Sequence, residues 1–74
     1  MWIKVRNIIV NLDGGASLKR DGSSIRLETE ETVRKTGRAV RIADYVNPER
    51  AEEVMQEFWK AVRLGELGYE FPEV

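Results

Sequence analysis

Residues 16–27, Ala-Ser-Leu-Lys-Arg-Asp-Gly-Ser-Ser-Ile-Arg-Leu, decide the fold of this chain. Asp21-Gly22 at their centre predicts a two-residue hairpin turn, because such a turn needs residues that tolerate positive φ. A loop of this length places Leu18 opposite Ile25, with apolar side chains on one face of the hairpin and polar ones on the other. A shift of one residue would reverse the two faces. The stretch therefore predicts an antiparallel hairpin whose apolar face another element must cover.

A second hairpin is predicted at the N-terminus, where residues 2–12 continue the same alternation. A tight turn at Arg6-Asn7 would oppose Val5 to Ile8 and turn both toward the inner face. The alternation of the strands fits this turn, although arginine is a poor residue for positive φ.

A fifth strand is predicted at residues 38–43, with Val40 and Ile42 on the inner side. The segment before it, residues 28–37, is polar apart from Val33. We therefore expect this segment to extend the two neighbouring strands and to turn at their tip.

After Asn47 the apolar residues no longer recur at every second position but follow a period of about 3.6 residues. This spacing indicates a helix at about residues 48–64. Asn47 is a favoured N-cap, Pro48 suits the first helical position, and Gly65 suits the position after the last turn. One stripe of the helix is apolar, with Trp59 at its margin. Its members are Ala51, Val54, Met55, Phe58 and Val62.

These elements predict one α+β domain over residues 1–74. It contains an antiparallel meander of about five strands within residues 1–45, packed against the C-terminal helix. The tail, residues 65–74, could add a short sixth strand. A chain of 74 residues buries only a modest core, so self-association is a reasonable expectation.

Composition limits the possible classes of function. The chain has no histidine and no cysteine, which removes the usual general base, the usual nucleophile and the soft metal ligands near neutral pH. The remaining serines and carboxylates lie in turns, in the polar segment or on the helix surface. We therefore expect no catalytic residue, cofactor or metal site. The apolar runs are too short to span a bilayer, so we expect a cytoplasmic protein with no membrane partner.

Charge is distributed unevenly along the chain. Residues 1–43 carry nine basic and five acidic side chains, whereas residues 44–74 carry three basic and eight acidic ones. The sheet region is therefore basic and the helix region acidic.

The outward face of the predicted sheet offers one candidate site. Basic side chains interleaved with an aromatic ring are typical of surfaces that bind single-stranded nucleic acid, where cations contact phosphates and rings stack on bases. The candidate residues are Trp2, Lys4, Lys19, Arg26 and Arg41. The same residues also suit an ordinary solvated face, and the acidic overall pI of about 5.5 favours that alternative.

A second candidate site consists of large apolar side chains that the predicted layout leaves half covered. They could form the interface of a homo-oligomer or a contact with another protein, or they could be buried within a single chain. The residues are Trp2, Ile9, Trp59, Tyr69 and Phe71. The first hypothesis is thus a non-catalytic interaction module, and the alternative is a single-stranded nucleic-acid-binding sheet domain.

Overall fold

Six strands and two helices make up the computed structural model, which describes residues 1–13 and 15–73. In chain order they are β1 (Trp2–Val5), β2 (Ile8–Asn11), β3 (Ser17–Asp21), β4 (Ser24–Glu28), α1 (Glu30–Thr36), β5 (Val40–Asp44), α2 (Pro48–Arg63) and β6 (Gly68–Glu70). The terminal sheet has the strand order β2-β1-β6, and the central sheet has the order β3-β4-β5. The predicted α+β class is confirmed, with one main C-terminal helix and the short sixth strand. The strands are divided between two sheets instead of forming one meander.

The β3–β4 hairpin forms as predicted, but its register is shifted by two residues. Leu18 lies opposite Leu27, and Asp21 lies opposite Ser24, so that the turn is Gly22-Ser23. Gly22 has φ 63°, which matches the glycine-first turn that also suits the twist of a hairpin. Because side chains alternate between the two faces of a strand, a register shift of two residues leaves every side chain on the same face. The apolar side chains therefore keep the predicted face.

The N-terminal hairpin has the predicted register, with Val5 opposite Ile8. Arg6 adopts φ 56°, a left-handed conformation that costs an L residue about 1–2 kcal/mol. Val5 is buried as expected, whereas Ile8 is 58% exposed because it lies at the end of the hairpin beyond the core. Ile8 therefore shares the inner face with Val5, as predicted, but is not buried there.

The polar segment after β4 forms the short helix α1, so the expectation of extended strands is wrong. Thr29 caps the helix: its side chain accepts a hydrogen bond from the Thr32 N–H at 3.1 Å, and the Thr32 hydroxyl accepts one from the Thr29 N–H at 2.9 Å. Gly37, with φ 76°, ends the helix. Two ion pairs four residues apart, Glu30–Arg34 and Glu31–Lys35, support it further. Local capping and charge pairing thus hold a helix that has no buried residue.

Strand β5 contains a bulge that the alternation of its sequence does not reveal. Val40 lies opposite Leu27 as an inward residue, but Ala43 lies opposite Ile25, and Ile42 is the extra residue between the two regular pairings. The bulge rotates the end of the strand, so that both Ile42 and Ala43 pack against the core.

Helix α2 begins and ends where the sequence predicts. The Asn47 Oδ1 accepts a hydrogen bond from the Arg50 N–H at 2.8 Å, and Pro48 occupies the first helical position. Ala51 and Val54 are fully buried on its apolar side. Within the described residues, no helix has the length and apolar character needed to cross a membrane.

Strand β6 pairs with β1 in parallel and completes the core. The Trp2 N–H donates to the Leu67 carbonyl and the Phe71 N–H donates to the Lys4 carbonyl, each at 2.9 Å. The core lies between α2 and the inner faces of both sheets. It contains Ile3, Val5, Ile25, Tyr45, Ala51, Val54 and Phe71.

Candidate interaction surface

The outer face of the terminal sheet, which points away from α2, carries exposed apolar side chains. Because side chains alternate along a strand, the residues that neighbour buried Ile3 point outward, and Lys4 lies opposite Ile9 across the β1–β2 pair. Trp2 is 50% exposed and Ile9 is 64% exposed. Trp2 and Ile9 are here called the outer apolar pair.

An open depression of about 240 Å³ lies beside the outer apolar pair, and Gly68 forms part of its lining. Gly68 lies opposite Trp2 in the parallel β1–β6 pairing. A Cβ at position 68 would stand 3.3 Å from the Trp2 carbonyl oxygen, closer than most side chains tolerate. Glycine therefore allows β6 to approach the Trp2 backbone this closely.

The outer face of the central sheet is different in character, since it carries a row of cations. Lys19 lies opposite Arg26, and Arg26 lies opposite Arg41 on the next strand. Like charges in this arrangement destabilise a sheet unless they are compensated. Each is compensated by a carboxylate, with nitrogen-to-oxygen distances of 3.7 Å for Lys19–Glu28, 3.0 Å for Arg26–Asp21 and 3.8 Å for Arg41–Asp44. Each of the three cations in this row is thus paired with one anion.

The five residues considered for nucleic-acid binding are therefore split between two sheets. Trp2 and Lys4 lie on the terminal sheet, away from the row of Lys19, Arg26 and Arg41 on the central sheet. The structure adds one cation that the sequence analysis missed, Arg38, which lines a cleft of about 400 Å³ together with two arginines of the row. The signal for it was the absence of any acidic residue in residues 32–43.

Two of the five residues considered for an oligomer interface lie inside the protein's own structure. Phe71 is 2% exposed, and its ring centroid lies 5.1 Å from that of Tyr69 and 5.8 Å from that of Phe58. Tyr69 is half-buried in the same cluster. Trp59 is 55% exposed, but it belongs to α2, on the other side of the terminal sheet from Trp2. Of the five, only Trp2 and Ile9 are brought together on one open face.

The aromatic cluster also holds a tyrosine with an altered ionisation. Burial, and the hydrogen bond that the Tyr69 hydroxyl donates to Glu57 Oε2 at 3.1 Å, raise the pKa of Tyr69 far above its ordinary 10.0. Burial also raises the pKa of Tyr45, whose hydroxyl donates to the Pro72 carbonyl at 3.0 Å. Both tyrosines are therefore held in their neutral form by the fold.

This ionisation predicts a loss of stability at alkaline pH. Tyr69 ionises near its ordinary pKa in the unfolded chain but only at higher pH in the folded protein, so its contribution is complete below about pH 10 and is lost as the pH rises further. We expect the melting temperature to fall as the pH rises above about 10, and to fall less steeply in Tyr69→Phe. Thermal unfolding followed by circular dichroism across this range measures both slopes. Equal slopes in the two proteins would contradict the assignment.

Within residues 1–13 and 15–73, no three acidic side chains gather in the way that a metal site requires.

No protein-family model, curated protein or solved structure matches the chain.

Proposed function

We propose that this protein is a non-catalytic interaction module that self-associates through the outer face of its terminal sheet. The observation that carries the proposal is the exposure of Trp2 and Ile9 side by side on that face. The central sheet presents charged pairs in the equivalent position, so the apolar character belongs to one sheet only.

The energetics of burial support this choice of surface. A tryptophan side chain buries roughly 150–250 Å² when it is covered, and apolar area contributes about 25 cal/mol per Å². Trp2 already has half of its surface free in the single chain. Tryptophan is also among the residues that dominate binding energy when they lie at the centre of an interface. A small domain with a limited core gains more from such an added contact than a large one.

The test compares two tryptophans that are matched in type and exposure. We expect the wild-type protein to form an oligomer at micromolar concentration, and Trp2→Ser to weaken association by about 2 kcal/mol, or roughly thirtyfold. Trp59→Ser, which removes the same side chain from α2, should change the dissociation constant by less than about threefold. Sedimentation equilibrium across a concentration series measures all three proteins.

Two results would overturn this proposal. A wild-type protein that remains monomeric at the highest attainable concentration would remove self-association altogether. Equal weakening by Trp2→Ser and Trp59→Ser would show that the outer apolar pair has no special role.

The second candidate, binding of single-stranded nucleic acid, is favoured by the cleft that Arg26, Arg38 and Arg41 share. Against it, two of these three guanidinium groups already face carboxylates, and Trp2 lies on the other sheet. Fluorescence anisotropy with labelled oligonucleotides across a salt series separates the two candidates. Phosphate contacts would produce an affinity that falls as salt rises, and the interaction module should show no such binding.

A further inference from the structure

The two sheets end in four edge strands, and these edges are not protected equally. Exposed edges invite pairing with another chain, and proteins usually block them with charged side chains, bulges, proline or short strands. Three of the edges have such features: β3 has charged residues, β5 has charged residues and a bulge, and β6 has three residues with a glutamate and a following proline. Strand β2, with the sequence Ile-Ile-Val-Asn, has no charged residue, no bulge and no proline.

The backbone of β2 has hydrogen-bonding groups that point away from its own sheet. The Leu12 N–H donates to the Met1 carbonyl at 2.9 Å, so the backbone N–H of Leu12 points toward β1 and not toward the open edge. Bonding alternates along an antiparallel strand, so Val10 and Ile8 also bond to β1, whereas Ile9 and Asn11 direct their N–H and C=O groups outward. Within the described residues, these outward groups bond to no other element.

We propose that β2 pairs with β2 of a second copy of this chain, antiparallel and about a two-fold axis at Val10. This inference rests on the proposed self-association and places the contact at the β2 edge, beside the outer face. The register places Ile9 of each copy opposite Asn11 of the other, so that all outward N–H and C=O groups of these residues are paired. The two terminal sheets then join into one six-stranded sheet.

Charges at the two ends of β2 favour a second copy in this orientation. Arg6 precedes the strand, and no carboxylate of the described residues lies within 4.0 Å of its side chain. Asp13 follows the strand with a side chain that is 74% exposed, and it contacts the N-terminal amine at 3.1 Å. Antiparallel pairing at Val10 brings Arg6 of each copy within one residue of Asp13 of the other. Parallel pairing would instead bring the two arginines together.

The same register extends the outer apolar pair across the axis. Ile9 of one copy lies diagonal to Ile9 of the other on the outer face, a distance over which long side chains still make contact. Trp2 flanks this pair on both sides, because β1 is adjacent to β2 in each copy. Pairing of the two β2 strands therefore joins the backbones and the Ile9 side chains of the two copies in one assembly.

The first test uses two substitutions at Asn11, of which only one keeps the backbone donor. Asn11→Ala and Asn11→Pro both remove the side chain, which accepts a hydrogen bond from the Asp13 N–H, but only proline also removes the outward N–H. We expect Asn11→Ala to stay within about threefold of the wild-type dissociation constant and Asn11→Pro to weaken association by roughly tenfold or more. Sedimentation equilibrium measures association, and circular dichroism confirms that both variants are folded.

The second test uses charge reversal at the two ends. Arg6→Asp and Asp13→Arg should each weaken self-association by roughly threefold to tenfold, because each homodimer then holds two like-charge contacts. An equimolar mixture of the two variants should recover dimer, since every contact in the mixed pair joins opposite charges. A mixture that associates no better than either variant alone would overturn the proposed register.

Amide hydrogen exchange on the wild-type protein tests the proposal without any substitution. The Ile9 and Asn11 amides should become protected as the concentration rises through the dissociation constant. If the protein is an oligomer but these amides exchange freely and Asn11→Pro associates normally, strand pairing is wrong and self-association through the outer face stands. If the wild-type protein never associates, both proposals fail together.

Discussion

Replacing Phe71 with alanine is expected to destabilise the protein by about 3–5 kcal/mol, the usual cost of removing a buried aromatic ring. The ring is 2% exposed and packs against the rings of Phe58 and Tyr69. A chain of 74 residues has a total stability of roughly 4–11 kcal/mol, so this one change removes a large fraction of it. Urea unfolding followed by tryptophan fluorescence measures the difference.

The matched control for this prediction is Glu73→Ala, an exposed residue of the same tail. It should change the free energy of unfolding by no more than about 0.5 kcal/mol. An unchanged unfolding midpoint in Phe71→Ala would mean that β6 does not dock on its own chain, and the order of the terminal sheet would have to be revised.

Replacing Val54 with aspartate is the second change with a large expected effect. Val54 has no solvent exposure at all and lies where α2 meets the shared core of both sheets. A carboxylate there would lose its hydration without gaining a partner, and we expect a cost above about 4 kcal/mol, with much of the protein unfolded at room temperature. Gln56→Asp supplies the control, because it places the same side chain on the solvent side of the same helix.

Circular dichroism and thermal unfolding of the two aspartate variants decide the outcome. Gln56→Asp should retain the helical signal with a melting temperature a few degrees lower at most, since aspartate is only a slightly poorer helix former than glutamine. A folded Val54→Asp protein with near-native stability would contradict the position of α2 over the core.

Local signals explain the elements that the sequence predicts well. Asn47 and Pro48 start α2 through contacts within one turn of the helix. Each hairpin turn consists of two residues between strands in which apolar and polar residues alternate. Helix α1 is equally local, since Thr29 and Thr32 cap each other. Apolar periodicity does not predict it, because a helix that buries nothing has no apolar period.

The candidate surface was predicted only in part, for a physical reason. Alternation along β1 and β2 is enough to place Trp2 and Ile9 on the face opposite the core. Alternation does not show whether another part of the chain covers that face, nor that Phe71 is drawn into the core by β6. The carboxylates that neutralise Arg26 and Arg41 depend likewise on strand register, and the sequence analysis placed the β3–β4 register two residues away.

The sequence by itself therefore determined the class of the fold, the limits of α2 and the parity of each hairpin, because those features arise from contacts between residues close in the chain. Tertiary structure alone decided that β6 would occupy one edge of β1, which leaves β2 as an open edge and divides the strands into two sheets. That pairing joins residues more than sixty positions apart, and no local pattern records it. The open face with Trp2 and Ile9, and the unprotected strand beside it, follow from this long-range choice.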